Sequence, residues 1–415
     1  MKTFGALPLA LLLLILPDQG RALDLPRSGH PVFDRTVALV LDNFYDAGAL
    51  DRFGVAVRQE IQDEDRPLTA GSSGARVDTA IETVLASLGV SHTDRFTADT
   101  IDYYELADIF RFAIRSDLRR LFPPDGTVHY PGIGMVTRLK DGIHFVSHVY
   151  DGGPADRAGI LTGDEILSVN GRPYHEIKSF QGRAGQTVDV RLRRNREGPD
   201  VTVKVAVERL QPLRTFEKAI ENSVTVTERD GRRIGYLRLW TLSTHDGLEI
   251  VARELASGRL KDADGLIVDL RGRWGGGPSD AAEIFVGGAP SFRLIQRDGK
   301  ATLANVRWRR PLVAIIDEGA RSGLELFAYA LKANGVPLVG TRTAGALLAG
   351  RAYILPDDSL LEIAVSDAVI DDGLRLEGRG IEPDIPVSFD LPYAAGKDPQ
   401  RDAAIEEMRR ILTKE

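Results

Sequence analysis

The chain has 415 residues, 43% hydrophobic and 27% charged, enough to bury two or three cores. Its formal net charge of -7, spread without basic blocks, argues against nucleic acid as a partner. A cysteine count of 0 excludes disulfides, thiol nucleophiles and thiolate metal sites together.

Residues 1–22 read as a secretory signal: Lys2 supplies a small basic start, residues 6–16 a short apolar core, and Gly20-Arg21-Ala22 a small-x-small cleavage pattern. The mature chain is expected to start near Leu23 and to be periplasmic or secreted. The apolar run is too short for a comfortable membrane span, and no later run approaches one. Residues 23–130 are expected to be helical, with apolar residues three and four apart in VFDRTVALVLDNFYDAGAL, AIETVLASLGV and YYELADIFRFAIRSDLRRLF. Loop chemistry at residues 63–75, DEDRPLTAGSSGA, interrupts them. This helical part is also a candidate dimerisation element of a homo-oligomer. Ser91-His92-Thr93 follows its helix AIETVLASLGV, with Gly89 as the expected C-cap. By itself, such a Ser-His pair reads as capping and solvated surface.

Residues 131–209 change to short alternating β runs, IHFVSHVY, VDVRLRR and VTVKVAV, around one short helix, PADRAG. Gly132-Ile133-Gly134-Met135, followed by GGPADRAGILTGDEILSVNGRP at residues 152–173, resembles a PDZ domain of the bacterial type. The resemblance implies that the turn at Gly132, Ile133, Gly134 and Met135 holds a terminal carboxylate while the peptide adds a strand to the sheet. His144, His148 and His175 fall within this module and read as surface or strand residues.

Over residues 210–390 strands and helices alternate: GYLRLW, a helix through LEIVARELAS, GLIVDL, a glycine-rich turn, a helix through AAEIFV, PLVAIID, another helix and PLVG. That order is α/β with a mainly parallel sheet. The turn at residues 271–277, RGRWGGG, directly follows GLIVDL, and its glycines let backbone amides approach a reacting group closely. In residues 313–333, VAIIDEGARSGLELFAYALKA, an apolar strand, a turn at Gly319 and a helix from Leu324 leave Ser322 at the helix start. Free amides and the helix dipole there favour an oxyanion, although a serine in that place also suits a plain helix cap. Residues 391–415 are expected to form a linker and one polar helix.

The succession of helical part, PDZ module, DLRxxxGG and a serine three residues before Glu325 resembles the carboxy-terminal processing proteases and the wider S41 serine peptidases. The resemblance implies a multidomain α/β protein with a peptidase core of the ClpP/crotonase type. It also implies Ser322 as nucleophile, with oxyanion amides at Gly323 and at Gly275 or Gly276. No cofactor is implied, and no metal, since the HExxH pattern and close His/Asp clusters are missing. Processing proteases carry a base lysine in Gly-x-x-Thr-x-Gly-Lys, whereas residues 340–346 read GTRTAGA, with Ala346 in the lysine's place. An alanine accepts no proton. The tricorn-like branch of the family uses a Ser-His pair before the PDZ and a Glu just before G-V-x-P-D. LGVSHT and EGRGIEPD are similar to those segments, with Ile381 in place of the valine. By that resemblance His92 is general base and then general acid, oriented by Ser91 and Glu377. The substrates would be protein or peptide chains recruited through the PDZ module. His129 and His245 compete for the role of base, while Glu382 and Asp384 read as turn-capping residues. The missing lysine leaves a second reading open, a non-catalytic PDZ scaffold protein on an inactive peptidase fold.

Overall fold

The computed structural model describes residues 25–414 apart from 245, 298, 299, 305 and 372. The expected signal segment and His245 lie outside the described residues.

Strands Thr225–Arg229, Arg232–Arg238, Gly265–Asp269, Leu312–Ile316, Leu338–Gly340 and Ile385–Pro386 form one six-stranded sheet. The first pair is antiparallel and every later pair parallel, as the alternating pattern predicts. Gly265–Asp269 and Leu312–Ile316 are buried at every position, the uninterrupted apolar pattern of strands covered on both faces. On one face Leu266, Val268, Ala314 and Ile316 pack with Leu324, Phe327 and Leu331 of the helix Gly323–Ala333. On the other, Ile267, Val313 and Ile315 meet Ala404, Met408 and Leu412 of the helix Pro399–Lys414. That last helix, polar at most of its positions, is also a structural layer. Its apolar residues recur every four positions and form a narrow stripe that average polarity hides.

The PDZ module is a five-stranded antiparallel sheet in the order Met135–Lys140, Ile143–Val149, Glu165–Val169, Thr187–Arg193, Asp200–Ala206, with its own core around Val146, Phe180 and Val190. Met135–Lys140 lies at the sheet edge.

Helices Pro31–Asn43, Leu50–Gln62 and Gly74–Ala86 bury Phe33, Val40, Phe53 and Ile81. The last of them ends at Ala86, capped by Ser87. Gly89, with φ 67°, sits in the turn beyond and is not the C-cap. The helical pattern is also broken by a strand, Asp94–Phe96, which pairs antiparallel with Leu360–Asp367, itself paired with Leu348–Ile354. Pairing across more than 260 residues overrides local periodicity here, since Asp94 lies opposite Glu362. Leu348, Leu361 and Ile363 share one core with the three helices, which fixes the Ser91-His92 turn against the strands Leu348–Ile354 and Leu360–Asp367. No helix among the described residues is long and apolar enough to cross a membrane.

Candidate active site

Ser322 ends the turn that follows the buried strand Leu312–Ile316 and stands at the N-cap of Gly323–Ala333, yet its side chain makes no capping hydrogen bond. The hydroxyl is thus left to other work. Its backbone lies at φ 54°, ψ -123°, a conformation that favours glycine and costs a serine roughly 1–3 kcal/mol. The segment is held by the Ser322 amide, which donates to the Ala346 carbonyl at 2.9 Å.

The glycine turn packs directly on this serine. A Cβ at Gly275 would meet the Ser322 Cβ and the Arg321 carbonyl oxygen, each at 2.6 Å, and would also crowd the Gly323 amide. Only glycine permits that approach. Thr241 and Ser243 hydroxyls donate to the Gly275 carbonyl at 3.0 and 2.9 Å and fix the turn in place.

His92 is 7% exposed, with φ 55°. Its Nδ1 lies 2.7 Å from Ser91 Oγ. The Ser91 hydroxyl donates to Glu377 Oε2 at 2.9 Å, and the Ser91 amide donates to Glu377 Oε1 at 2.8 Å. Ser91 Oγ has one proton, and Glu377 receives it, so His92 Nδ1 must carry the hydrogen that Ser91 Oγ accepts. Nε2 is left as a lone-pair acceptor. The Leu347 amide donates to the same Glu377 oxygen at 2.8 Å, which anchors the carboxylate beside Ala346. Burial, with the nearby Arg321 guanidinium second, lowers the His92 pKa from 6.5 to about 3 and keeps the imidazole neutral.

His92, Ser322, Gly275 and Gly276 line one cavity of about 270 Å³, walled by Ile109, Phe110 and Leu348. Two groups that sequence reasoning missed face it as well, Arg321 and Glu362. The Arg321 guanidinium lies 5.1 Å from the Trp274 ring centroid. Glu362 is 3% exposed, and burial raises its pKa to about 7, against the opposing pull of Arg321. Arg321 was findable as the neighbour of Ser322. Glu362 carries no local signal, because only the pairing of its strand brings it to the cavity.

Glu325, the acid of the serine motif, does not touch the cavity. Fully buried, it accepts from the Thr343 hydroxyl at 2.6 Å and from the Gly345 and Ala346 amides at 2.9 and 2.7 Å, and so shapes the loop that holds Ala346. The Ala346 methyl is buried in that loop. Gly132, Ile133, Gly134 and Met135 lie at the start of the PDZ edge strand, away from the cavity lining. His129 is bound to the Thr127 carbonyl and to Arg209. His144 packs on Tyr174 and His148 on Trp240, while His175 Nδ1 accepts from backbone amides of its own turn. None of these four histidines lines the cavity. Asp384 caps the Leu338 amide and pairs with Lys332, each at 2.9 Å.

Residues 233–387 match the model of Peptidase family S41, and residues 131–205 that of a PDZ domain. The chain carries an S41 peptidase domain and a PDZ domain. It is 26% identical to carboxy-terminal processing protease CtpB of Bacillus subtilis (strain 168) over 286 residues, 64% of its own length and 57% of that protein's. Against carboxyl-terminal-processing peptidase 3, chloroplastic, of Arabidopsis thaliana it is 28% identical over 285 residues, covering 63% and 54%. It thus spans a little over half the length of these curated relatives. Among solved structures, the photosystem II D1 C-terminal processing protease superposes with a TM-score of 0.51 at 21% identity, over 91% of this chain and 99% of that one. The tricorn protease gives 0.52 at 19% identity, over 92% of this chain and 36% of that one. Both likenesses concern the fold.

Proposed function

We propose that this chain is an exported serine endopeptidase with Ser322 as nucleophile and His92 as base. The observation that carries the reading is the relay from Glu377 through Ser91 to His92 Nδ1, which leaves Nε2 as acceptor in the cavity that Ser322 also lines. As Ser322 Oγ attacks the scissile carbonyl carbon, Nε2 takes its proton, and the Ser91-Glu377 pair stabilises the imidazolium that forms. The amides of Gly323 and of the Gly275-Gly276 turn hold the oxyanion. Collapse of the tetrahedral species breaks the C–N bond, His92 gives its proton to the departing amine, and water then releases the acyl group by the same steps in reverse. The PDZ module would recruit a chain end, with the Ile133-Gly134 turn meeting its carboxylate and the edge strand Met135–Lys140 pairing with its backbone. Export rests on the signal-like residues 1–22.

A fluorophosphonate probe applied to the full chain tests this. Labelling should map to Ser322, vanish in Ser322→Ala and slow by at least about 10³-fold in His92→Ala. Loss of labelling in His129→Ala, with His92→Ala unaffected, would transfer the role of base to His129. Ala346, in the lysine's position, favours the second reading, a binding protein on an inactive peptidase fold. A folded sample that is never labelled at Ser322 would establish that reading instead.

A further inference from the structure

Glu362 stands apart from the catalytic groups. Along Leu360–Asp367 the odd-numbered Leu361 and Ile363 point into the core shared with the N-terminal helices, while Leu360 faces the peptidase core, and Glu362 shares its face. A carboxyl is thereby set in the wall of the Ser322 cavity. Its neighbours make room for it: Ala352 lies directly across the pairing, and a Cβ at Gly350 would collide with Glu362 Oε1. Among the described residues no hydrogen bond and no ion pair within 4.0 Å reaches this carboxyl, although its residue is only 3% exposed. Arg321, the cation that acts on it from across the cavity, is turned against Trp274. A buried carboxyl without a donor is costly, and such groups are kept where a partner arrives. Beside the polar Ser243, His92, Ser322 and Arg321, the wall has an apolar part made by Ile109, Phe110 and Leu348. A cavity that combines apolar wall residues with a carboxyl lacking a donor suits a side chain with a long aliphatic stem and a donor head.

We infer that Glu362 is a specificity-determining residue, and that the cavity takes the lysine or arginine side chain of the substrate residue whose carbonyl Ser322 attacks. The stem would lie along Ile109, Phe110 and Leu348, and the cationic head would complete the hydrogen bonding of Glu362. This rests on the peptidase reading above, and burial that raises the Glu362 pKa to about 7 agrees with a carboxyl awaiting a cation.

Peptidyl diphenyl phosphonates carrying lysine or norleucine at the reacting position separate the two ideas, because norleucine keeps the stem and lacks the ammonium. With the full chain, the lysine probe should modify Ser322 at least about tenfold faster than the norleucine probe. In Glu362→Gln and Glu362→Leu that ratio, taken within each protein and so independent of its overall reactivity, should fall to about one or below. Equal rates for the two peptidyl probes in the native chain would overturn the inference, as would a faster reaction with a glutamate probe, which would assign the pocket to Arg321. An unchanged ratio in both Glu362 variants would also overturn it. Failure of even the fluorophosphonate to label the native chain would remove the peptidase reading, and this inference with it.

Discussion

At the scale of single residues, the backbone of Ser322 records a conflict between stability and reactivity. At φ 54°, ψ -123° a glycine is at ease and a serine is not, so the hydroxyl is carried at a cost of about 1–3 kcal/mol. Both Ser322→Ala and Ser322→Gly should abolish labelling. The glycine variant should nevertheless be more stable than the alanine variant by about 1 kcal/mol or more in urea melts. His92 gives a second prediction. In the proposed mechanism its neutral form is the base, and burial holds its pKa at about 3 in the folded chain, against 6.5 for a free imidazole. The acid limb of kcat/KM should therefore lie well below pH 6.5. It is best read in Glu362→Gln, because Glu362 titrates near 7 in the same cavity. For stability the sign is fixed by proton uptake: between pH 6.5 and about 3 the unfolded chain holds a proton on this histidine that the folded chain refuses. The contribution of His92 is thus complete above pH 6.5 and is lost as the pH falls through that window.

At the scale of elements, the glycine turn and the helix that starts after Ser322 are one device. The Cβ of Gly275→Ala would press on Ser322 Cβ and on the Arg321 carbonyl, both 2.6 Å away, and the turn would have to retreat from the nucleophile. Phosphonate labelling should slow by about 10²–10³-fold through lost oxyanion geometry. Melts should show a loss of about 1–3 kcal/mol from overpacking. Those parts of the site were legible in the sequence because they are local: RGRWGGG after a strand and Ser322 before a helix announce themselves within a few residues. The partnership of His92 with Glu377 was reached through resemblance to family segments, since 285 residues separate the two and no periodicity connects them. Glu362 was invisible. A glutamate between Leu361 and Ile363 reads in the sequence equally well as a solvent-facing position. The packing role of the last helix was hidden for a related reason, because its three apolar contacts matter only beside the sheet they cover.

At the scale of the molecule, one buried carboxylate joins three parts of the chain. Glu105, in the helix Ile101–Ile109, is 1% exposed and accepts from Tyr150 at the end of a PDZ strand, from Trp274 Nε1 at 2.6 Å and from Arg273 at 2.8 Å in the glycine turn. Glu105→Ala would leave Arg273 with Asp102 alone and strand the Tyr150 and Trp274 donors. The expected cost is about 3–5 kcal/mol of unfolding free energy, with Glu105→Gln milder because it keeps an acceptor. A loss below about 1 kcal/mol for the alanine variant would mean that the parts are held together elsewhere.

The closing helix Pro399–Lys414 also bears on when the protein can come into being. Ile267, Val313 and Ile315, on the strands that end in the glycine turn and the Ser322 turn, stay uncovered until Ala404, Met408 and Leu412 have been made. Glu377, which anchors the Ser91-His92 pair, is likewise a late residue orienting an early one. Synthesis proceeds from the other end, and a partial chain is left with an open sheet and an unanchored histidine. The order of manufacture thus acts as a safety catch: the surroundings of Ser322 are complete only after the helix Pro399–Lys414 has been made.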